Sequence, residues 1–193
     1  MKKGFLIVYS GPSGVGKGTI LKEVLPIKSL KLSYSVSMTT RKPRKGEVDG
    51  KDYFFVSKKQ FEKAIKDGEL LEYAKFVDNY YGTPKAYVEE MTNKGMNVVL
   101  EIETIGAKKI LKKYGDENVV SIYILPPNMK ELEKRLKERN TESLEVIKKR
   151  IAKARREVKK LDMFDYIVVN DDLKVTIKDI KNIIKQEMKK DTH

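Results

Sequence analysis

One stretch constrains this chain more than any other. Phe5-Leu6-Ile7-Val8-Tyr9 runs almost directly into Gly11-Pro12-Ser13-Gly14-Val15-Gly16-Lys17. The first part reads as a short, fully buried strand. The second matches G-x-x-x-x-G-K, and residues 19–25, stopped by Pro26, supply the helix that must follow such a loop. Glycines let consecutive backbone N–H groups turn toward one point, and the helix N-terminus adds partial positive charge there. Lys17 contributes a mobile charge for the β- and γ-phosphates of a nucleotide. The residue after the lysine, commonly Ser or Thr, is Gly18, so Thr19 or a water must take the hydroxyl's part toward Mg²⁺. Gly11 to Thr19 are thus the expected triphosphate-binding residues.

The same alternation of strand and helix continues. Residues 32–36, 97–102, 119–125 and 166–169 read as strands, and 84–94, 105–114, 128–139 and 175–188 as helices, with a long charged helix ending near Leu161. This predicts an α/β fold, a parallel sheet covered on both faces by helices. Between Ser37 and Thr83 the pattern changes: turn residues, aromatics and charges surround a single predicted helix at 58–66, as in an inserted subdomain. At 193 residues, one sizeable core with a small insertion is expected.

Composition removes several chemistries. There is no cysteine, and the one histidine is His193, so thiol catalysis, disulfides, histidine triads and Cys/His metal clusters are excluded. The apolar run at 5–9 is too short for a signal peptide, and no segment approaches the ~20 apolar residues of a membrane span, so no membrane partner and a cytoplasmic location are expected. The net charge of +13 comes from lysines spread over predicted helix faces without a compact basic block. That reads as a solvated surface, and no nucleic-acid partner is expected because no binding motif accompanies the charge. Of only seven arginines, five (Arg41, Arg44, Arg135, Arg139, Arg150) fall in motifs.

The acceptor of the phosphoryl group is written after the second strand. Ser37-Met38-Thr39-Thr40-Arg41-Lys42-Pro43-Arg44 is followed by Gly46-Glu47-Val48-Asp49-Gly50-Lys51-Asp52-Tyr53-Phe54. Two arginine forks three residues apart can grip one phosphate from two sides, and Tyr53 and Tyr81 can each donate an O–H to it. This stretch strongly resembles the guanylate kinase signature. The resemblance continues through Glu72-Tyr73-Ala74, Asn79 to Thr83, Leu100-Glu101-Ile102-Glu103, Arg139 to Glu142 and Val169 to Asp172, and so covers nearly the whole chain. It implies a P-loop NTPase fold with an NMP-binding subdomain (37–83), a mobile lid (138–161) and a core of 1–36, 84–137 and 162–193. It implies ATP- and Mg²⁺-dependent conversion of GMP to GDP, and of dGMP to dGDP. Oligomeric state is left open.

Guanine presents N1–H and N2–H₂ donors and an O6 acceptor; a carboxylate reads the donors, and a hydroxyl or amide reads the acceptor. The resemblance implies that the readers are Glu72 and Glu103, with Ser37 and Thr83 on the O6 side or nearby. It places Arg135, Arg139 and Arg150 at the ATP phosphates, with Lys17, Arg41, Arg139 and Arg150 as the catalytic charges. Asn170 and Asp171 are expected at adenine, the amide by hydrogen bonding. Glu101, ending a buried strand, is the candidate to hold Mg²⁺ through water, beside Thr19 as the other candidate. The chain departs from the family at Glu103 (usually Asp), Ile105 (usually Gln) and Asn140 (usually Gly).

Gly-Lys-Gly-Thr is also the loop form of adenylate kinases, so the loop alone leaves the acceptor open. A kinase of AMP or dTMP explains the loop and lid arginines but not Arg41-x-x-Arg44 with its following acidic pairs. A catalytically dead binding module of the same fold would lose Lys17 and the lid arginines, which this chain keeps, and 193 residues leave no room for adjoining interaction domains.

Overall fold

The computed structural model describes residues 3–76, 78–115, 118–138 and 143–190. In chain order the elements begin β1 (Leu6–Ser10), α1 (Lys17–Val24), β2 (Leu32–Tyr34), β3 (Met38–Thr39), β4 (Phe54–Phe55), α2 (Lys58–Lys66), β5 (Leu70–Phe76) and β6 (Asn79–Pro84). They continue with α3 (Lys85–Asn93), β7 (Asn97–Glu101), α4 (Thr104–Tyr114), β8 (Val119–Leu125), α5 (Met129–Glu138), α6 (Leu144–Glu157), β9 (Tyr166–Val169) and α7 (Leu173–Lys190). The chain divides into two compact units: residues 1–8 with 31–119, and residues 9–30 with 120–193.

The first unit holds strands in the order β2-β7-β1, with β2 and β7 parallel. Val98, Val99 and Leu100 are buried, as continuous apolar runs in a parallel sheet should be. A second sheet of four strands, in the order β4-β3-β6-β5, is built from the inserted segment. It is built on the antiparallel hairpin β5/β6. Helix α2 packs against this sheet through Phe61 and Ala64, and the Phe61 ring stacks on Tyr80 at 5.3 Å. Its start is fixed by a capping box, with Ser57 and Gln60 each satisfying the other's backbone N–H.

Sequence alone predicts only the helix of this insert. The strands escape because Glu72, Lys75, Asn79, Gly82 and Pro84 break any two-residue alternation. A bulge adds to this: Leu70 pairs with Pro84 but Tyr73 with Gly82, three steps along β5 against two along β6. Leu71 and Glu72 are both buried as a result, where an unbroken strand would send one of them outward.

The second unit holds β8 and β9 as a parallel pair, with Ile122, Tyr123, Ile124 and Val168 buried. Helix α1 lies against α7, burying Ile20, Leu21 and Val24 on one side and Ile180 and Ile184 on the other. Helix α5 packs on α6 through Leu132, Leu136, Ile147 and Ile151. The α-helical turns of α6 end at Glu157, earlier than expected, and a 3₁₀ stretch with a break at Lys160 (φ −129°, ψ 39°) carries the chain to Met163.

Many lysines sit four residues from a glutamate or aspartate on the same helix face, among them Lys58–Glu62, Lys63–Asp67, Lys94–Glu90 and Lys137–Glu133. Such exposed pairs contribute little to stability, but they fit a solvated lysine face. No helix among the described residues is long and apolar enough to cross a membrane.

Candidate active site

The second unit carries the glycine loop. Gly11, Gly14 and Gly16 all have positive φ (152°, 92° and 102°), the backbone that lets the loop curl. Gly16 is the N-cap of α1, with no side-chain cap and no acidic residue in the first turn, so the positive helix end is left for an external anion. Lys17 folds its ammonium back over the loop, donating to Gly11 O at 2.8 Å and Pro12 O at 3.3 Å. Gly18 and Thr19 are exposed on the first turn of α1.

Arg150, on α6, donates to the Ser13 hydroxyl at 2.8 Å, so this arginine lies against the loop. Arg135, on α5, is held by Glu131 at 3.0 Å and reaches the carbonyls of Val15 at 3.4 Å and Asn170 at 3.1 Å. Arg139 and Asn140 lie outside the described residues.

Asn170 departs from the sequence expectation. Its amide is buried within the protein: Nδ2 donates to Val15 O at 2.8 Å, and Oδ1 accepts the Thr176 O–H at 3.1 Å. The sequence reading gave this amide to adenine, but the packing of β9 against the loop commits it to a main-chain carbonyl 155 positions away. Asp171 is exposed, and the cap of α7 is its neighbour Asp172, which accepts from Val175 N at 3.0 Å.

The first unit carries the residues that the sequence assigns to the acceptor. Glu72 is 7% exposed, aimed inward by the bulge, and its Oε1 accepts the Thr83 O–H at 2.8 Å. Thr83 therefore orients the carboxylate, a role the O6 assignment did not foresee. Burial pushes Glu72 above its ordinary value, opposed by the Thr83 hydrogen bond and the charge of Lys109. Lys109 reaches Tyr73 O and stands 4.7 Å over the Tyr73 ring.

The raised Glu72 sets two pH trends. In the free protein the native state holds this proton more tightly than the unfolded chain, whose value lies near 4.5. Its contribution to stability is complete below that value and is lost as pH rises through the raised one. A ligand that takes the carboxylate, as the sequence reading assigns to GMP, is expected to run the other way, weakening as pH falls through the raised value. Calorimetric titration with GMP across the acidic range, with proton uptake measured in two buffers, checks this.

Glu72 reaches its place because of Gly106. A Cβ there would lie 2.5 Å from Glu72 Oε2, closer than any real contact, and Gly106 is in the first turn of α4. Glu103 is the N-cap of that same helix, exposed, and Ile105 is 57% exposed. The two carboxylates named by the sequence thus converge on one helix end, which favours negative charge. For Gly106→Ala we expect the KM for GMP to rise about tenfold to a hundredfold with KM for ATP unchanged, since the clash displaces the carboxylate at a cost of ~1–3 kcal/mol. Ala in a helix is itself worth ~1 kcal/mol over Gly, so the melting temperature should move little. Steady-state kinetics with a thermal melt separates the two effects.

Around the arginine pair the acidic residues act as fasteners. Glu47 Oε1 accepts from Arg41 Nη2 and Oε2 from the Arg44 backbone N–H, at 2.8 and 2.7 Å. That hydrogen bond holds Glu47 below the usual carboxylate range and Arg41 above its ordinary value. Asp49 accepts from Phe55 N and Asp52 from Val48 N, both at 2.8 Å. The Arg41 guanidinium lies 5.3 Å from the Tyr53 ring and 5.7 Å from that of Phe55. Tyr53 and Tyr81 meet edge to face at 6.1 Å, and burial pushes the Tyr53 hydroxyl up to about 12. Ser37 is half-buried, its carbonyl accepting from Phe54 N at 2.9 Å. Arg44 is exposed. Glu101, half-buried at the end of β7, accepts from the Tyr34 hydroxyl at 3.5 Å.

Sequence reasoning passed over Glu47, Lys109 and Gly106 as functional residues. The first stood within the quoted signature; the others show their part only through long-range contacts.

With this geometry in view, the comparisons are specific. The family profile for guanylate kinase matches residues 3–187. A guanylate kinase of Streptococcus thermophilus (strain CNRZ 1066) is 51% identical over 186 residues, covering 96% of this chain and 88% of that one. One from Mesoplasma florum is 53% identical over 185 residues, covering 96% of this chain and 62% of that one. The crystal structure of guanylate kinase from Anaplasma phagocytophilum superposes with a TM-score of 0.79 at 35% identity, covering 96% of this chain and 87% of that one.

Proposed function

The chain belongs to the guanylate kinase family, and on that premise we propose how its residues divide the work of passing a phosphoryl group from ATP to GMP. The reaction, ATP-dependent phosphorylation of GMP to GDP on a P-loop NTPase fold, is that of the family. The observation that carries the acceptor assignment is the buried Glu72 carboxylate, oriented by Thr83 and backed by the start of α4. A buried carboxylate left without a partner is costly, so a base lacking N1–H and N2–H₂ is rejected.

In this reading Glu72 and Glu103 take the guanine edge, with Ser37 nearby, and Thr83 sets the angle of Glu72. Arg41 and Arg44, tied together by Glu47, take the GMP phosphate with Tyr53 and Tyr81. Gly11 to Thr19 cradle the ATP phosphates, by backbone N–H groups from Ser13 onward, and Lys17 leaves the loop carbonyls for the β- and γ-oxygens. Arg139 and Arg150 neutralise the transferring group, Arg135 acts on the ATP phosphates from its place on the loop carbonyl, and Asp171 is left for the adenosine end. No general base is required, because the acceptor phosphate is already ionised. We read 37–83 as the acceptor-binding insertion, 138–161 as the lid and the remainder as core. dGMP should also serve, since no residue assigned here reads the 2′-hydroxyl.

Mg²⁺ bound with ATP would supply positive charge against the negative charge that gathers during transfer. The donors suit it: the Thr19 hydroxyl is exposed on the first turn of α1, and Glu101 offers a half-buried carboxylate able to act through water. Among the described residues no three carboxylates cluster into a metal cage, so the ion would arrive on the nucleotide. A cytoplasmic location, where both substrates are abundant, completes the reading.

The test is a coupled assay of ADP formation with GMP, dGMP, AMP, dTMP, UMP and CMP. We expect turnover with GMP and dGMP, and kcat/KM for AMP lower by about 10⁴-fold. Comparable turnover with AMP would overturn the guanine assignment.

A further inference from the structure

The Val15 carbonyl, inside the glycine loop, receives two donors from outside it: Asn170 Nδ2 at 2.8 Å and Arg135 Nη1 at 3.4 Å. The donors are themselves tied together. Arg135 Nη1 also reaches Asn170 O at 3.1 Å, Glu131 holds Arg135 Nε at 3.0 Å, and Thr176 orients the far side of the Asn170 amide. Val15 and Asn170 are both buried.

A trans peptide is planar, with its C=O and N–H pointing in opposite directions. Fixing the Val15 carbonyl therefore fixes the Gly16 N–H, which must point away from Asn170. Only glycine allows the approach: Gly16 has φ 102°, and a Cβ there would stand 2.6 Å from Asn170 Nδ2. The Gly16 N–H belongs to the amide series that a loop of this kind turns toward phosphate oxygens.

We propose that Asn170 and Arg135 form a lock on the Val15–Gly16 peptide, holding the Gly16 N–H toward the bound triphosphate. Asn170 is on this account a positioning residue that acts on ATP through the loop. The proposal rests on the phosphate-binding role given to the loop above.

Base reading and loop locking predict different losses. The probes are ATP, ITP, which differs from ATP on its base edge, and inorganic tripolyphosphate, which has no base. For Asn170→Ala the lock predicts that KM for ATP and Ki for tripolyphosphate rise in parallel, each about tenfold for one lost hydrogen bond, with the ATP-to-ITP preference unchanged. Asn170→Asp keeps the size of the side chain but sets an acceptor against Val15 O, and should give the same parallel loss. GMP affinity, measured by calorimetry, reports that each variant is folded. A rise in KM for ATP with Ki for tripolyphosphate unchanged and the ATP-to-ITP preference collapsed would overturn the lock in favour of adenine contact. Failure of tripolyphosphate to compete with ATP in the unaltered protein would overturn the loop reading, and the lock with it.

Discussion

Lys17→Met is expected to lower kcat about 10²–10³-fold, the range for removing one preorganised charge from a developing transition state. It should leave the affinity for GMP unchanged. The ammonium is the loop's own mobile charge, resting on Gly11 O and Pro12 O. Methionine keeps the length and apolar stem, and it begins α1 as well as lysine does, so the loop should persist. The free loop then loses the side-chain hydrogen bonds to these carbonyls and nothing from its apolar core. A kcat within threefold of the unaltered protein would show that the charge acts elsewhere than on the transferring phosphate.

Glu72→Gln is expected to act on recognition instead. It should raise the KM for GMP about 10²–10³-fold, since a charged hydrogen-bonding partner to two donors is replaced by an amide that can accept from only one of them while facing the other with an N–H₂. KM for ATP should not move. The Thr83 O–H can still donate to the amide oxygen, so the packing beside Gly106 is retained. The same substitution removes a carboxylate whose ionisation is costly where it is buried. The free variant should therefore be at least as stable as the parent at neutral pH. Loss of GMP binding with retained or raised melting temperature is the pattern to look for. Parallel loss of both would mean that Glu72 is structural.

These two predictions fall on residues that were legible in the sequence to different degrees. The loop at 11–17 is a local device: its glycines, its lysine and the strand and helix beside it are contiguous, and the structure forms it there. Continuous apolar runs mark the bounds of β8 and β9: β8 is buried on both faces and needs no alternation, while β9 buries Val168 and leaves Ile167 and Val169 exposed. The α2 helix was equally plain, with its cap and apolar face within nine residues.

The second sheet was not legible. Its pattern is spoiled by polar and small residues: Glu72 sits at a bulge, Thr83 is tied to it by a hydrogen bond, and Gly82 leaves room for Phe61 and Leu70. The candidate residues 41, 44, 53, 72 and 81 were found through their joint register in the signature, and no local rule would have picked them singly. Gly106 and Asn170 carried no signal of their structural part, since a close approach to Glu72 and a bond to Val15 exist only once distant segments pack.

The central claim is that the acceptor residues gathered around the start of α4 read guanine by its edge. Calorimetric titration of the protein with GMP, IMP and AMP, without ATP, tests it most directly. The account predicts binding of GMP, binding of IMP about tenfold or more weaker for want of the 2-amino group, and no measurable binding of AMP. AMP or IMP binding as tight as that of GMP would contradict it.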